Sequence, residues 1–391
     1  MHAAAAVPTT ADLPPPNTEP APRVLEIRFT GSGSEYFRIW AVNLLLILLS
    51  CGLYLPFAKI RRIRYLYANT LIDGEALAFH GDVWKMFRGF VLMAVLMLVY
   101  TFAGEFSPMA ALLAFVLAGA AWPALWRASM QFRLGNTSWR GLRMGFEGSL
   151  GAAYLAYLPV FVPAALALAW SLKSEGSGGG VLAWLGQALQ LAALLAAPWS
   201  TALIKRYQHS GYRIAGEHSG IRLHTRSVYF IGFKSVLLAV LMLVVVSICA
   251  FALGSLLGLA TTGKIDAKGS STYAGFAWAG MVYLFVGSVV PPYYASRIQN
   301  LVWGNTHSAS LRFRSELSGL RGLTLKNWLL IVATLGLYRP FAVIATMRLR
   351  LESVSIESST DPATWVAPAG TERTDASGEV ARDFFGMDVG L

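Results

Sequence analysis

Two asparagines, Asn43 and Asn327, lie inside apolar runs, where a primary amide must find hydrogen-bond partners. Two roles suit them: clamping a neighbouring helix, or lining a polar passage. His209, Glu217, His218 and His224 gather types that bind metals, but their spacing matches no metal motif. Arg206, Arg213, Arg222 and Arg226 among them would repel a cation, so this group reads as a solvated loop. Cys51 and Cys249 fall in apolar segments, where a thiol behaves as a small hydrophobe. There is no Gly-x-Ser-x-Gly elbow, His-Glu-x-x-His pair or phosphate-binding glycine loop. The expectation is a non-enzymatic chain with no catalytic residue, no metal and no cofactor.

What must position the two amides is a repeated element. Gly52-Leu53-Tyr54-Leu55-Pro56-Phe57-Ala58 returns as Gly336-Leu337-Tyr338-Arg339-Pro340-Phe341-Ala342, and residues 28–64 match 312–348 at the same offset. Asn43 and Asn327 are equivalent in that alignment, and Gly52, Pro56, Gly336 and Pro340 are the expected breaks of the two helices. Arg61, Arg64 and Arg348 follow the breaks and could grip lipid phosphates, although orientation by positive charge explains them without a ligand.

Composition supplies the setting. Of 391 residues, 55% are hydrophobic and 14% charged, with mean hydropathy +0.52, too little polar material to clothe a soluble globule of this size. Apolar runs near the roughly 20 residues needed to cross a bilayer occur at 39–58, 89–106, 109–126, 150–172, 181–204, 236–260, 273–290 and 327–347. The net charge of +11 comes from basic residues beside these runs, which favours anionic lipid head groups over nucleic acid as partners. Residues 1–25 read as a disordered tail without a signal peptide, 26–352 as the membrane domain, and 353–391 as a polar disordered tail.

Alternate loops carry 21 basic residues against 3, which places the basic loops in the cytoplasm. Eight full crossings would leave both termini outside, against the charge rule, and would oppose the two repeat copies. In one reading, six central segments cross while 39–58 and 327–347 enter and return, with both termini cytoplasmic. In the other, the copies form an inverted pair and both cross. The first fits the charges and is preferred; Arg339-Pro340 supports it, because a charge at the bilayer centre costs about 2.5–3.5 kcal/mol.

A second repeat runs through the basic loops. Pro56, Pro123 and Pro292 each precede an Asn-Thr pair by 13 positions, at Asn69, Asn136 and Asn305, and Phe79-His80-Gly81 and Phe146-Glu147-Gly148 follow the first two. This predicts turns into short strands, hence small cytoplasmic hairpins capping each helix pair. The fold expected is all-α and polytopic, with six to eight apolar segments in pseudo-repeated helix pairs and small cytoplasmic β-hairpins.

The chain resembles the YjgN-like family of bacterial inner-membrane proteins. The resemblance rests on Phe29-Thr30-Gly31, Tyr36-Phe37-Arg38-Ile39-Trp40 with Asn43, Gly52 to Lys59 running into Arg61, Arg64 and Tyr65, then Asn69-Thr70 and Phe79-His80-Gly81. Phe57 stands where the family has Trp, and Ser50 where it has Thr. The resemblance implies a multi-pass bacterial inner-membrane protein and carries no activity or catalytic residue. The function expected is transport or permeation of a small solute or lipid. The alternatives are a scaffold that contacts anionic lipid and, third, a lipid-modifying enzyme; nothing in the sequence speaks to oligomeric state.

Overall fold

Each pair of helices leaves one strand and returns to another, and this order occurs five times along the chain. The computed structural model describes residues 23–174, 181–256, 267–361 and 365. The first unit is β1 (Arg23–Phe29), α1 (Gly33–Leu49), α2 (Leu55–Ala68) and β2 (Thr70–Ile72); the second is β3 (Glu75–Phe79), α3 (Val83–Phe106), α4 (Pro108–Gly135) and β4 (Thr137–Trp139). The third is β5 (Leu142–Phe146), α5 (Leu150–Ser174), α6 (Val181–His209) and β6 (Tyr212–Ile214). The fourth has a broken strand, β7 (Glu217–His218) and β8 (Gly220–Ile221), then α7 (Thr225–Leu256), α8 (Ala267–Trp303) and β9 (Thr306–His307). The fifth is β10 (Leu311–Ser315), α9 (Leu320–Ala333), α10 (Arg339–Glu352) and β11 (Val354–Ser358).

The hairpins are not separate caps. Eleven strands form one antiparallel sheet in the order β7-β6-β5-β4-β3-β2-β1-β11-β10-β9-β8. Its two ends, β7 and β8, are joined in the chain through Ser219, so the sheet is nearly closed into a ring. This overturns the all-α expectation with six to eight segments. Among the described residues, five helices are long and apolar enough to cross a membrane: Val83–Phe106, Pro108–Gly135, Leu150–Ser171, Trp184–His209 and Thr225–Ala252. The physical reason is that a lone hairpin leaves two rows of backbone N–H and C=O unpaired, and the neighbouring unit satisfies them. The strands so recruited include β1 and β11, the latter from the stretch read as a polar tail.

Alternation along the strands sets the two faces of the ring. Leu25, Trp139, Leu311 and Ile356 are buried inside, packed with Ile27, Ile72, Leu77, Met144, Ile214 and Phe313. Leu25 pairs with Ile356, which pairs in turn with Phe313, so the seam between the first and last strands is apolar. Trp365 packs on Trp139 at 6.4 Å between ring centroids.

Local chemistry accounts for both repeats. Asn69, Asn136 and Asn305 each turn their side-chain amide back to the carbonyl four residues earlier, at 2.9, 2.7 and 2.7 Å, and Thr70, Thr137 and Thr306 do so with their hydroxyls. The Asn-Thr pair thus closes the open carbonyl end of each second helix. The glycine two residues after Phe29, Phe79 or Phe146 has no room for a Cβ, which would stand 2.7, 2.5 and 2.7 Å from that phenyl ring. In Gly-Leu-Tyr-x-Pro-Phe-Ala the glycines adopt φ of 92° at Gly52 and 94° at Gly336, a left-handed turn that closes α1 and α9. Pro56 and Pro340 occupy the first turns of α2 and α10, where a missing N–H costs nothing. Tyr54 stacks on Phe57 and Tyr338 on Phe341, at 5.4 and 5.6 Å, and each phenylalanine packs on the first helix of the next unit.

Candidate functional site

A cavity of about 1660 Å³ runs from the interior of the ring into the space between the helices. Helical spacing builds its wall: Tyr36, Trp40, Asn43, Leu44 and Ile47 face it from α1, and Lys59, Arg62, Ile63 and Leu66 from α2. The cationic side chains on the wall are Lys59, Arg62, Arg133, Arg213, Arg339 and Arg350, against a single carboxylate, Glu217. Five methionines, Met86, Met93, Met130, Met144 and Met347, also line it, and such flexible thioethers adapt to varied apolar shapes.

Electrostatics bind these groups together. Burial pushes the Tyr36 phenol above its ordinary pKa, while Arg62 and Arg339 pull it back. Burial raises Tyr212 to about 12, opposed by Arg133, and holds the Arg350 guanidinium below its usual value. Arg350 Nε donates to Gln299 Oε1 at 2.9 Å, and Gln299 Nε2 donates to the Arg350 carbonyl at 2.9 Å. Arg213 reaches Glu147 at 3.1 Å. Among the described residues, the guanidinium groups of Arg62 and Arg339 have neither a hydrogen bond nor an ion pair.

The two asparagines are equivalent in sequence and differ in setting. Asn327 is 4% exposed and joins α9 to α10 through Nδ2, at 3.5 Å from the Ala342 carbonyl and 3.4 Å from Thr346 Oγ1. Asn43 is 7% exposed and belongs to the cavity wall, and at the position equivalent to Thr346 the first unit has Arg62. In both residues Oδ1 is buried without a donor.

Arg64 and Arg348 are engaged in holding the units together. Arg64 donates to the Gly81 carbonyl at 3.1 Å, Arg127 to Gly148 at 2.7 Å, Arg206 to Leu223 at 2.9 Å, Asn300 to Leu317 at 3.2 Å and Arg348 to Gly31 at 3.0 Å. Each bond joins the second helix of one unit to the strand-to-helix turn of the next, and the Arg348 bond closes the circle between the fifth unit and the first. Replacing Arg348 by alanine is expected to lower stability by about 1 kcal/mol, with discounting for its partial exposure. A thermal melt in detergent checks this; a loss equal to that of Arg61→Ala, a residue outside these five bonds, would contradict the role. Arg61 instead lines a separate groove of about 330 Å³ with Tyr54, Phe57, Ile60, Arg64 and Val83.

The histidines do not converge. His209 is buried against Trp303 and Tyr212, with Nδ1 3.0 Å from Thr306 Oγ1, whereas His218 meets Glu147 at 3.3 Å. The residues that sequence reasoning missed are Lys59, Arg62, Arg133, Arg339 and Arg350. A signal existed on α2, where Pro56, Lys59, Ile63 and Leu66 make one stripe at helical spacing with a cation inside it. That Arg133 on α4 and Arg339 and Arg350 on α10 join it follows only from ring closure.

Comparison with known proteins agrees with this membrane character. The inner membrane protein YjgN of Salmonella typhimurium is 30% identical over 141 residues, 35% of this chain and 36% of that protein. The protein of the same name from Escherichia coli K12 is 40% identical over 76 residues, 18% of this chain and 19% of that protein. The matched stretch therefore spans little more than a third of the Salmonella relative. No solved structure matches the chain. A family described as "Bacterial protein of unknown function (DUF898)" matches residues 24–384, and the chain belongs to that family.

Proposed function

We propose that this is a multi-pass bacterial inner-membrane protein that provides, without catalysis, a passage for a small anionic solute or lipid along its axial chamber. The observation that carries the reading is the cavity of about 1660 Å³, continuous from ring to helices, with six cations and one carboxylate on its wall. The sheet and both chain ends lie on the cytoplasmic side in this reading, because the basic stretches cluster there. α1, α2, α9 and α10 have 17, 14, 14 and 14 residues. At 1.5 Å per residue each is about 21–26 Å long, short of a hydrocarbon core of about 30 Å, which favours pairs that enter and return.

The test is reconstitution into liposomes of neutral and anionic phospholipid. Transbilayer movement of a fluorescent phosphatidylglycerol and efflux of trapped carboxyfluorescein are followed, with Leu44→Trp/Met93→Trp filling the chamber. The passage reading expects one probe to move faster than in empty liposomes and the filled variant to abolish the gain. No movement of either probe would sink it. That outcome favours the scaffold reading, for which the specific support is the outer groove where Arg61 meets Tyr54 and Phe57, a setting suited to an anionic head group.

A further inference from the structure

We propose that the chamber is shaped for an anionic amphiphile, an acyl chain ending in a phosphate or carboxylate, with its head held between Arg62 and Arg339 and its chain along Leu44, Ile47, Leu55, Phe90 and Met93. The inference deepens the passage reading and rests on it for the chamber's being a ligand site.

Several other arginines are committed to partners elsewhere, unlike this pair. Arg64, Arg127, Arg206 and Arg348 are committed to backbone carbonyls between units, Arg350 to Gln299 and Arg213 to Glu147. Arg62 on α2 and Arg339 on α10 both line the chamber, and both act electrostatically on the Tyr36 hydroxyl of α1. Two guanidinium groups on one wall, both acting on one phenol and neither paired with a carboxylate, repel each other, and an anion between them relieves that repulsion. Guanidinium forks match the oxygens of phosphate and carboxylate, which selects the head.

A small inorganic anion would leave the rest of the wall unused. Leu44 and Ile47 on α1, Leu55 on α2, and Phe90 and Met93 on α3 extend the lining as an apolar strip. Covering such a strip with an acyl chain contributes roughly 0.8 kcal/mol per buried methylene. The methionines accommodate chains of varied length. Glu217, the one carboxylate on the wall, lies on β7 and not on any of these three helices.

The experiment uses the full chain in neutral maltoside micelles, with native mass spectrometry as the readout. Three probes are titrated: lysophosphatidylglycerol, lysophosphatidylcholine and glycerol 3-phosphate. The anionic lysolipid is expected to bind roughly ten-fold or more tightly than either of the others. In Arg62→Gln/Arg339→Gln that preference falls to the level of lysophosphatidylcholine, and Arg62→Lys/Arg339→Lys, which keeps both charges, retains part of it. Thermal melts verify that each variant is folded. Equal binding of the two lysolipids, or a glutamine variant that keeps the preference, overturns the head site. Glycerol 3-phosphate binding as tightly as the anionic lysolipid overturns the chain-binding strip. Selective binding with no movement in liposomes overturns the passage alone, whereas movement without selectivity overturns this inference alone.

Discussion

Truncating Phe146 to alanine is expected to cost about 3–5 kcal/mol, a large share of the stability of any single domain. Phe146 ends β5, is 5% exposed, and packs edge-on against Tyr207 at 5.3 Å and against Tyr212 at 6.2 Å. Gly148 and Gly211 close over the same ring, where an added Cβ would stand 2.7 and 2.5 Å away. The backbone on both sides is tied down, by Glu147 N–H to the Gly211 carbonyl at 2.9 Å and by Arg127 to Gly148, so the site cannot collapse onto the space left behind. Unfolding in a denaturing-detergent titration measures the loss. Phe29 and Phe79 hold the equivalent places at 3% and 8% exposure and should show losses of the same order. A cost below about 1 kcal/mol at all three would mean that the Phe-x-Gly turns are not the joints of the ring.

Gly119→Leu should separate α4 from α5. A Cβ on Gly119 would stand 1.7 Å from the Phe161 ring, which itself stacks on Phe115 at 5.6 Å, so the two helices meet through a glycine and a phenyl face. Small residues permit such close approach where no hydrophobic force between helices assists in lipid. Tyr154 supplies the polar tie, donating to the Ala120 carbonyl at 2.8 Å, and a displaced α5 would lose it. The expected cost is about 1–3 kcal/mol from overpacking, plus the lost hydrogen bond. Phe161→Ala in the same chain should recover most of it. Failure of that second change to rescue, measured as a coupling near zero in a double-mutant cycle, would place the damage elsewhere.

Much of the local design was legible in residue order. The Gly-Leu-Tyr-x-Pro-Phe-Ala stretches announced a helix stopped by glycine and restarted at proline, and both turns take that form. The Pro-to-Asn-Thr spacing marked where second helices end and short strands follow. Each signal is carried by neighbours within a few residues, whose steric and hydrogen-bond demands act over one turn. The equivalence of Asn43 and Asn327 was legible too, but their different partners were not. Asn327 meets Thr346 while Asn43 lies where the companion position is Arg62, and that difference concerns residues 19 apart on separate helices.

The assignment of arginines shows the same limit. Charge beside apolar runs reads as orientation or as lipid contact, and Arg61 keeps a setting that suits the latter. Arg64 and Arg348 look identical to Arg61 in sequence but spend their donors on the turn of the next unit. The helical phase turns Arg62 toward the chamber and Arg61 toward the separate groove, a rotation of about 100° per residue that matters only once the position of the chamber is known.

Composition and short-range pattern were therefore enough to determine a membrane chain built of helix pairs that end in short strands, because solvent preference, capping and turn chemistry are settled by adjacent residues. The tertiary structure alone decided that the strands join edge to edge into one nearly closed sheet, that β1 and β11 form its seam, and that cations from α2, α4 and α10 meet in one chamber. Backbone edges pair without regard to distance along the chain, and which unit supplies the partner is set by the closure of the whole ring.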